Sequence, residues 1–131
     1  MAKTVLGTTI NSSPTVVFPA GAAITGARYV ALGLSDGKAV LPAAGAMALG
    51  VSIGETDENV AAGEDIDIQI KDIGKWMAGG AIDAGDELMT DEAGRAVKAA
   101  SGKFIMGIAL TSAATAGSLV QVQLAKMGYK P

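Results

Sequence analysis

The stretch AIDAGDELMTDEAGRAV, residues 81–97, holds Asp83, Asp86, Glu87, Asp91 and Glu92 within ten positions. Carboxylates this dense are either an acid or metal site or the polar tips of turns, and the two readings lead to different proteins. A second stretch with the same skeleton decides between them. AGAAITGARYVALGLSDGKAVLPAAGAMALGVSI, from Ala20, lies over AGGAIDAGDELMTDEAGRAVKAASGKFIMGIAL, from Ala78. Ile24 falls on Ile82 at a spacing of 58, Gly37–Val40 on Gly94–Val97 at 57, and Gly50-Val51 on Gly107-Ile108 at 57. Further on, AAGEDIDIQIKDIGKW (61–76) falls on TAGSLVQVQLAKMGYK (115–130) at 54. The shrinking offset reads as short deletions in loops, where a repeated unit tolerates them.

The chain therefore reads as two tandem copies of one Gly/Ala-rich unit, 20–76 and 78–130, within a single β domain spanning 20–131. An unrepeated N-terminal arm, 1–19, precedes them. In the first copy, Thr25, Ala27 and Arg28 stand in the region where the second has Asp83, Asp86 and Glu87, so the skeleton survives without the acids. The acids flank Gly85 and Gly94, as turn residues do. The sequence has neither His nor Cys to complete a metal or acid–base set, and the spacing lacks the D-x-[DN]-x-[DN]-G order of a calcium loop. No metal ligands, catalytic residues or cofactor-binding residues are assigned, and no cofactor is expected.

Strand signals recur in each copy. DIDIQIK sets Ile66, Ile68 and Ile70 on one face against Asp65, Asp67, Gln69 and Lys71; LVQVQLA sets Val120, Val122 and Leu124 against Gln121 and Gln123. Period 2 with β-branched residues is the mark of half-buried strands. Hairpins are expected at SDG (35–37) and DEAG (91–94). Gly50 and Gly107, inside MALGVSI and FIMGIAL, mark a bulge or a close backbone approach. Trp76 and Tyr129, aligned by the repeat at an offset of 53, are expected to share one structural duty. No 3.6-residue stripe runs for three turns, so the fold class is all-β: about five short strands per copy, closing a small barrel or sandwich.

Composition narrows the function. Half of the 131 residues are hydrophobic but only 4% aromatic, and Gly numbers 18, roughly twice its usual ~7% share. At a net charge of −3 with scattered Lys and Arg, the chain lacks the basic stripe that nucleic acid demands. No apolar run approaches the ~20 residues of a membrane span, and no secretory signal core is present. The expectation is a soluble protein that binds neither nucleic acid nor membrane nor a small-molecule substrate. GxSxG and SxxK pairs are absent, and the Gly-rich pieces lack the Walker lysine. A lipoyl- or biotinyl-type carrier domain is the one rival tied to enzymes, with Lys38 beside a hairpin tip. Against it, the second copy has Arg95 there, and no carrier motif flanks either residue.

The arm AKTVLGTTINSSPTVVFP has two β-prone pieces, Thr4 to Ile10 and Thr15 to Phe18, around an Asn-Ser-Ser-Pro break. An extended segment can add a strand to a partner's sheet edge. Thr4, Val5, Leu6, Val16, Val17 and Phe18 are therefore the candidate partner-binding residues, docking on a larger assembly or a neighbouring subunit. The other course is that the arm packs on its own barrel.

The succession of an extended arm, GAAITG, DGKAV, ALGVS, AAGEDIDI, AIDAGDEL, DEAGRAV, MGIALTSA and AGSLVQVQL resembles the phage head decoration proteins, also called capsid cement proteins, from about residue 20 onward. The resemblance implies a small β-barrel or β-clip domain that assembles as a homotrimer on the outer surface of the mature head. There it would bind the major capsid protein over local threefold positions and resist internal DNA pressure, as a virion protein made in the host cytoplasm. It implies no catalytic site and no cofactor. A phage tail or baseplate component, or a receptor-binding β module, is the alternative.

Overall fold

The computed structural model describes residues 13–131, and among these every regular element is a strand. In chain order they are β1 (Thr15–Pro19), β2 (Ile24–Thr25), β3 (Ala31–Ser35), β4 (Lys38–Val40), β5 (Gly50–Ser52) and β6 (Asn59–Val60). Then follow β7 (Asp65–Gln69), β8 (Asp72–Met77), β9 (Glu87–Thr90), β10 (Ala96–Lys98), β11 (Phe104–Ala109) and β12 (Leu119–Tyr129). Apolar runs this short, cut by Gly, Asp and Pro, cannot sustain helical periodicity, and they bury instead by pairing. The β3–β4 hairpin turns on Asp36 and Gly37, both at positive φ (53° and 75°), with Ser35 opposite Lys38. That is the two-residue geometry whose twist matches its strands.

Two five-stranded sheets result, β1-β7-β5-β3-β4 and β8-β12-β11-β9-β10, with β2 and β6 forming a separate pair. The two orders correspond strand for strand. Each sheet has its outer strands drawn together at one end by a parallel bridge, Ala20 with Ala39 and Ala78 with Ala96. Gly21 N–H donates to the Ala39 carbonyl and Gly79 N–H to that of Ala96, both at 2.8 Å. In this correspondence β1 holds in the first sheet the place that β8 holds in the second. Phe18 stands opposite Ile66, and Trp76 opposite Val120. Trp76 therefore corresponds to Phe18, not to Tyr129. Trp76 is fully buried, whereas Tyr129 is 67% exposed and lies edge-on against Phe104 at a centroid distance of 5.2 Å.

Alternation places Ile66 and Ile68 in a core of the first sheet with Val30, Leu32 and Ile24. A second core, around Trp76, Leu88, Met106, Val120 and Val122, also takes in Ala31 and Val51 from the first sheet and Ala48 from the loop before β5. The two halves thus share apolar packing, and backbone bonds cross between them. Ala31 N–H donates to the Gly94 carbonyl at 2.7 Å, and Met77 N–H to the Tyr29 carbonyl at 2.8 Å. The indole Nε1 of Trp76 donates to the same Gly94 carbonyl at 2.8 Å. Buried indoles need such an acceptor.

Ser52 is among the polar side chains buried in the interior. Ser52, 1% exposed, accepts from Val30 N–H at 3.0 Å and donates to the Ala27 carbonyl at 2.5 Å. Removing the hydroxyl leaves a buried N–H without that acceptor, so Ser52→Ala is expected to destabilise by about 1–3 kcal/mol. In urea titration the midpoint should fall with an unchanged m-value; an unaltered midpoint would contradict this account of the serine.

Alternation puts Gln69 on the outer face of β7, and the structure differs. Gln69 is 9% exposed because its Nε2 donates to the carbonyls of Lys71 (2.8 Å) and Ile73 (3.0 Å). The side chain satisfies the corner where the chain passes from the first sheet to the second, with Asp72 at φ 69°.

Candidate functional site

Two carboxylates of residues 83–92, Asp86 and Asp91, hold turns. The Asp86 carboxylate accepts from Asp83 N–H at 2.9 Å, and Asp91 Oδ1 accepts from the N–H groups of Ala93 (2.9 Å) and Arg95 (2.8 Å). Lys98 approaches Asp86 at 3.9 Å and Lys130 pairs with Glu87 at 2.5 Å. These are local backbone caps and surface ion pairs, the latter worth at most about 1 kcal/mol each. Among the described residues no group of three or more His, Cys, Asp or Glu is placed to hold a metal ion.

Of the six candidate docking residues, Thr4, Val5 and Leu6 lie outside the described residues. Val16, Val17 and Phe18 sit in β1, antiparallel to β7 at the border of the first sheet. Val16 and Phe18 are partly buried against that sheet's core, while Val17 is 51% exposed. Ser13 Oγ donates to the Lys71 carbonyl at 3.1 Å, fixing where the strand enters. The division follows from pleating, which turns successive side chains to opposite faces.

Backbone parity fixes the open edge of β1. Ala20 N–H donates to the Glu64 carbonyl in the same register that pairs Phe18 with Ile66 and Val16 with Ile68. Alternate residues therefore direct their N–H and C=O groups toward β7, and Thr15 and Val17 direct theirs away from it. Pro14 and Pro19, without N–H groups, bracket this open segment.

Other apolar groups face solvent where alternation gave no hint of them: Met47 (58%), Met127 (51%) and Tyr129. Met127 lies where the β11–β12 register shifts between Ile105 and Gly107, and this irregularity breaks the inward–outward count. A cleft of about 320 Å³ opens between the corner and β8, lined by Tyr29, Ile53, Gln69, Ile73 and Lys75 among others. It is at the small end of the ~300–1,000 Å³ typical of ligand sites, and the hydroxyl of Ser52, which also lines it, is engaged by backbone groups of Ala27 and Val30. Lys38, the carrier-type candidate, is exposed at the start of β4. What the geometry offers is a set of edges and faces suited to protein contact.

The family model for the phage cement protein matches residues 10–124. The chain belongs to that family. As a cement protein it has a capsid-associated structural role, and its place is with the virion capsid. The family is one of structural proteins. No curated protein matches the sequence. Among solved structures, the cement protein is similar to the crystal structure of the head fiber gp8.5 N base of bacteriophage phi29. The identity is 20% and the TM-score 0.66, over 89% of this chain and 98% of that one. At that identity the likeness is one of fold, and it agrees with an all-β domain.

Proposed function

We propose that this cement protein binds the outer surface of the mature phage head as a homotrimer, contacts the major capsid protein, and stabilises the shell against internal pressure. The match to the cement family over residues 10–124 carries the reading. The solved relative in fold being the base of a head fiber supports a place on the head exterior. Docking runs through the arm. Thr4, Val5 and Leu6, outside the described residues, supply β-prone sequence, Val17 an exposed side chain with open backbone groups beside it, and Val16 and Phe18 anchor the strand that presents it.

Co-sedimentation with undecorated, expanded heads tests this. The full-length protein is expected to pellet saturably. Because Val16 and Phe18 pack on the core, the arm is tested by deleting residues 2–11 and, separately, by Val17→Asp, both of which leave β1 in place. Each should weaken binding by about tenfold or more. Folded full-length protein that stays in the supernatant sinks the capsid reading, and a tail or baseplate module takes its place. Sedimentation equilibrium reads the trimer.

A further inference from the structure

The free edge of β8 is satisfied at both ends and bare in the middle. Ala78 N–H donates to the Ser118 carbonyl in the register that pairs Trp76 with Val120, so Asp72, Gly74 and Trp76 direct their backbone groups toward β12. Ile73, Lys75 and Met77 therefore direct theirs away from it. At one end Gln69 Nε2 donates to the Ile73 carbonyl at 3.0 Å, and at the other Met77 N–H donates to the Tyr29 carbonyl at 2.8 Å. Between them, the N–H and C=O of Lys75 have no hydrogen-bond partner among the described residues. Lys75 lines the cleft of about 320 Å³ beside the corner, together with Ile53, Gly54 and Glu55.

Two further features of this cleft suit a peptide. Gln69 lines it and is nine-tenths buried; its Nε2 is fully used, but its Oε1 accepts no hydrogen bond among the described residues. Tyr29, also in the lining, holds φ at 56°, a region that non-glycine residues adopt at a cost and that clusters at binding sites. The arm begins beside this cleft. The Lys71 carbonyl accepts from Gln69 Nε2 at 2.8 Å and from Ser13 Oγ at 3.1 Å, so Ser13 stands next to the amide that lines the cleft. Twelve residues precede Ser13. A strand advances ~3.3 Å per residue, so the four steps from Ser13 back to Thr9 match the four from Lys71 to Lys75.

We infer that the cleft seats the arm of its own chain, with Thr9 added to the free edge of β8 opposite Lys75. The added strand is antiparallel: Lys75 N–H donates to the Thr9 carbonyl, and Thr9 N–H donates to that of Lys75. Gln69 Oε1 accepts from the stretch between Thr9 and Ser13. Tethering favours this occupant over a segment of another molecule, since a linked arm stands beside the cleft at an effective concentration on the order of millimolar. Thr4, Val5 and Leu6 lie beyond the seat, past Gly7, and are held in a fixed direction toward the shell. Only that aiming of the tip rests on the capsid reading above.

Amide hydrogen exchange on the full-length protein, read residue by residue by NMR, tests the seat. Lys75 N–H is expected to exchange at least about tenfold more slowly in the full chain than in the variant lacking residues 2–11. Thr9→Pro, which removes the strand's donor, should release it likewise, while Lys3→Pro, beyond the tip, should not. The Val122 amide, within the β8–β12 pair, stays protected in all four proteins and reports that the fold is intact. If Lys75 exchanges equally fast in the full chain and the deletion variant, the inference falls. Protection that disappears on dilution to the monomer assigns the cleft to a neighbouring copy's arm, and protection that appears only after binding to heads assigns it to the shell protein. Either result overturns the seat within one chain. Co-sedimentation with undecorated heads is read separately: a protein that fails to pellet but keeps Lys75 protected loses the capsid reading and retains this one.

Discussion

Trp76→Ala is expected to remove about 3–5 kcal/mol of stability, a large share of the ~5–15 kcal/mol that holds a domain of this size. Two losses combine. The indole is the largest fully buried side chain in the core that both halves share, so its removal opens a cavity among Leu88, Met106 and Val120. It also withdraws the Nε1 donor from the Gly94 carbonyl, a group that at the same time accepts from Ala31 N–H. Because that carbonyl joins the second sheet to the first, both halves should lose stability together. Urea unfolding followed by far-UV circular dichroism, with tryptophan fluorescence for the wild type, measures the loss. A fall of less than about 1 kcal/mol would show that the core collapses around the gap and that Trp76 is not its centre.

The second large effect is steric. A Cβ on Gly107 would lie 2.4 Å from the Gln123 carbonyl oxygen, and one on Gly50 would lie 2.1 Å from that of Gln69. Both obstacles are backbone atoms of the neighbouring strand, which cannot swing aside as a side-chain tip would. Gly107→Ala and Gly50→Ala should each destabilise by about 3 kcal/mol, at the upper end of overpacking effects, and the double substitution should prevent folding at 37 °C. Gly80→Ala is the control: a Cβ there meets nothing within 4 Å and its φ is not in the left-handed region, so the change should be under about 0.5 kcal/mol. Thermal midpoints of the four variants decide the matter. Equal losses at Gly80 and Gly107 would mean that chain entropy, not contact, sets the preference for glycine.

Much of this architecture was legible in the residues. The alternations at 65–68 and 120–124 are period-2 patterns whose apolar members are buried, because a half-buried strand leaves its solvation pattern in the sequence; Ile70, past the end of β7, is only partly buried. Gly50 and Gly107, set inside apolar runs, point to close approach for the same local reason. The partner of Trp76 was not legible. The strand matching β8 is β1, whose TVVFP shares no residue pattern with DIGKWM, and pairing to a strand fifty residues away is a non-local property. Gln69 was misplaced because a polar residue inside a β corner and one on a solvent face are the same letter. The candidate site divided in the same way. Val17 emerges exposed from an apolar run, but nothing in that run separates it from Val16 and Phe18 until the pleat is known. The cleft beside β8 joins Gln69 and Lys75 across a corner, and which backbone groups a corner leaves unpaired is not written in residue types.

The two prolines that bracket β1 limit what can happen on a crowded surface. Copies of a β protein held side by side at high local density meet edge to edge, and an open strand is a template for runaway pairing. Here the unpaired border offers backbone groups only at Thr15 and Val17 before the ring of Pro14 or Pro19 ends the ladder. A short segment can be gripped there, but a long one finds no continuation. Along β1, then, an added strand can pair only at Thr15 and Val17, which makes this border a poor template for continued pairing.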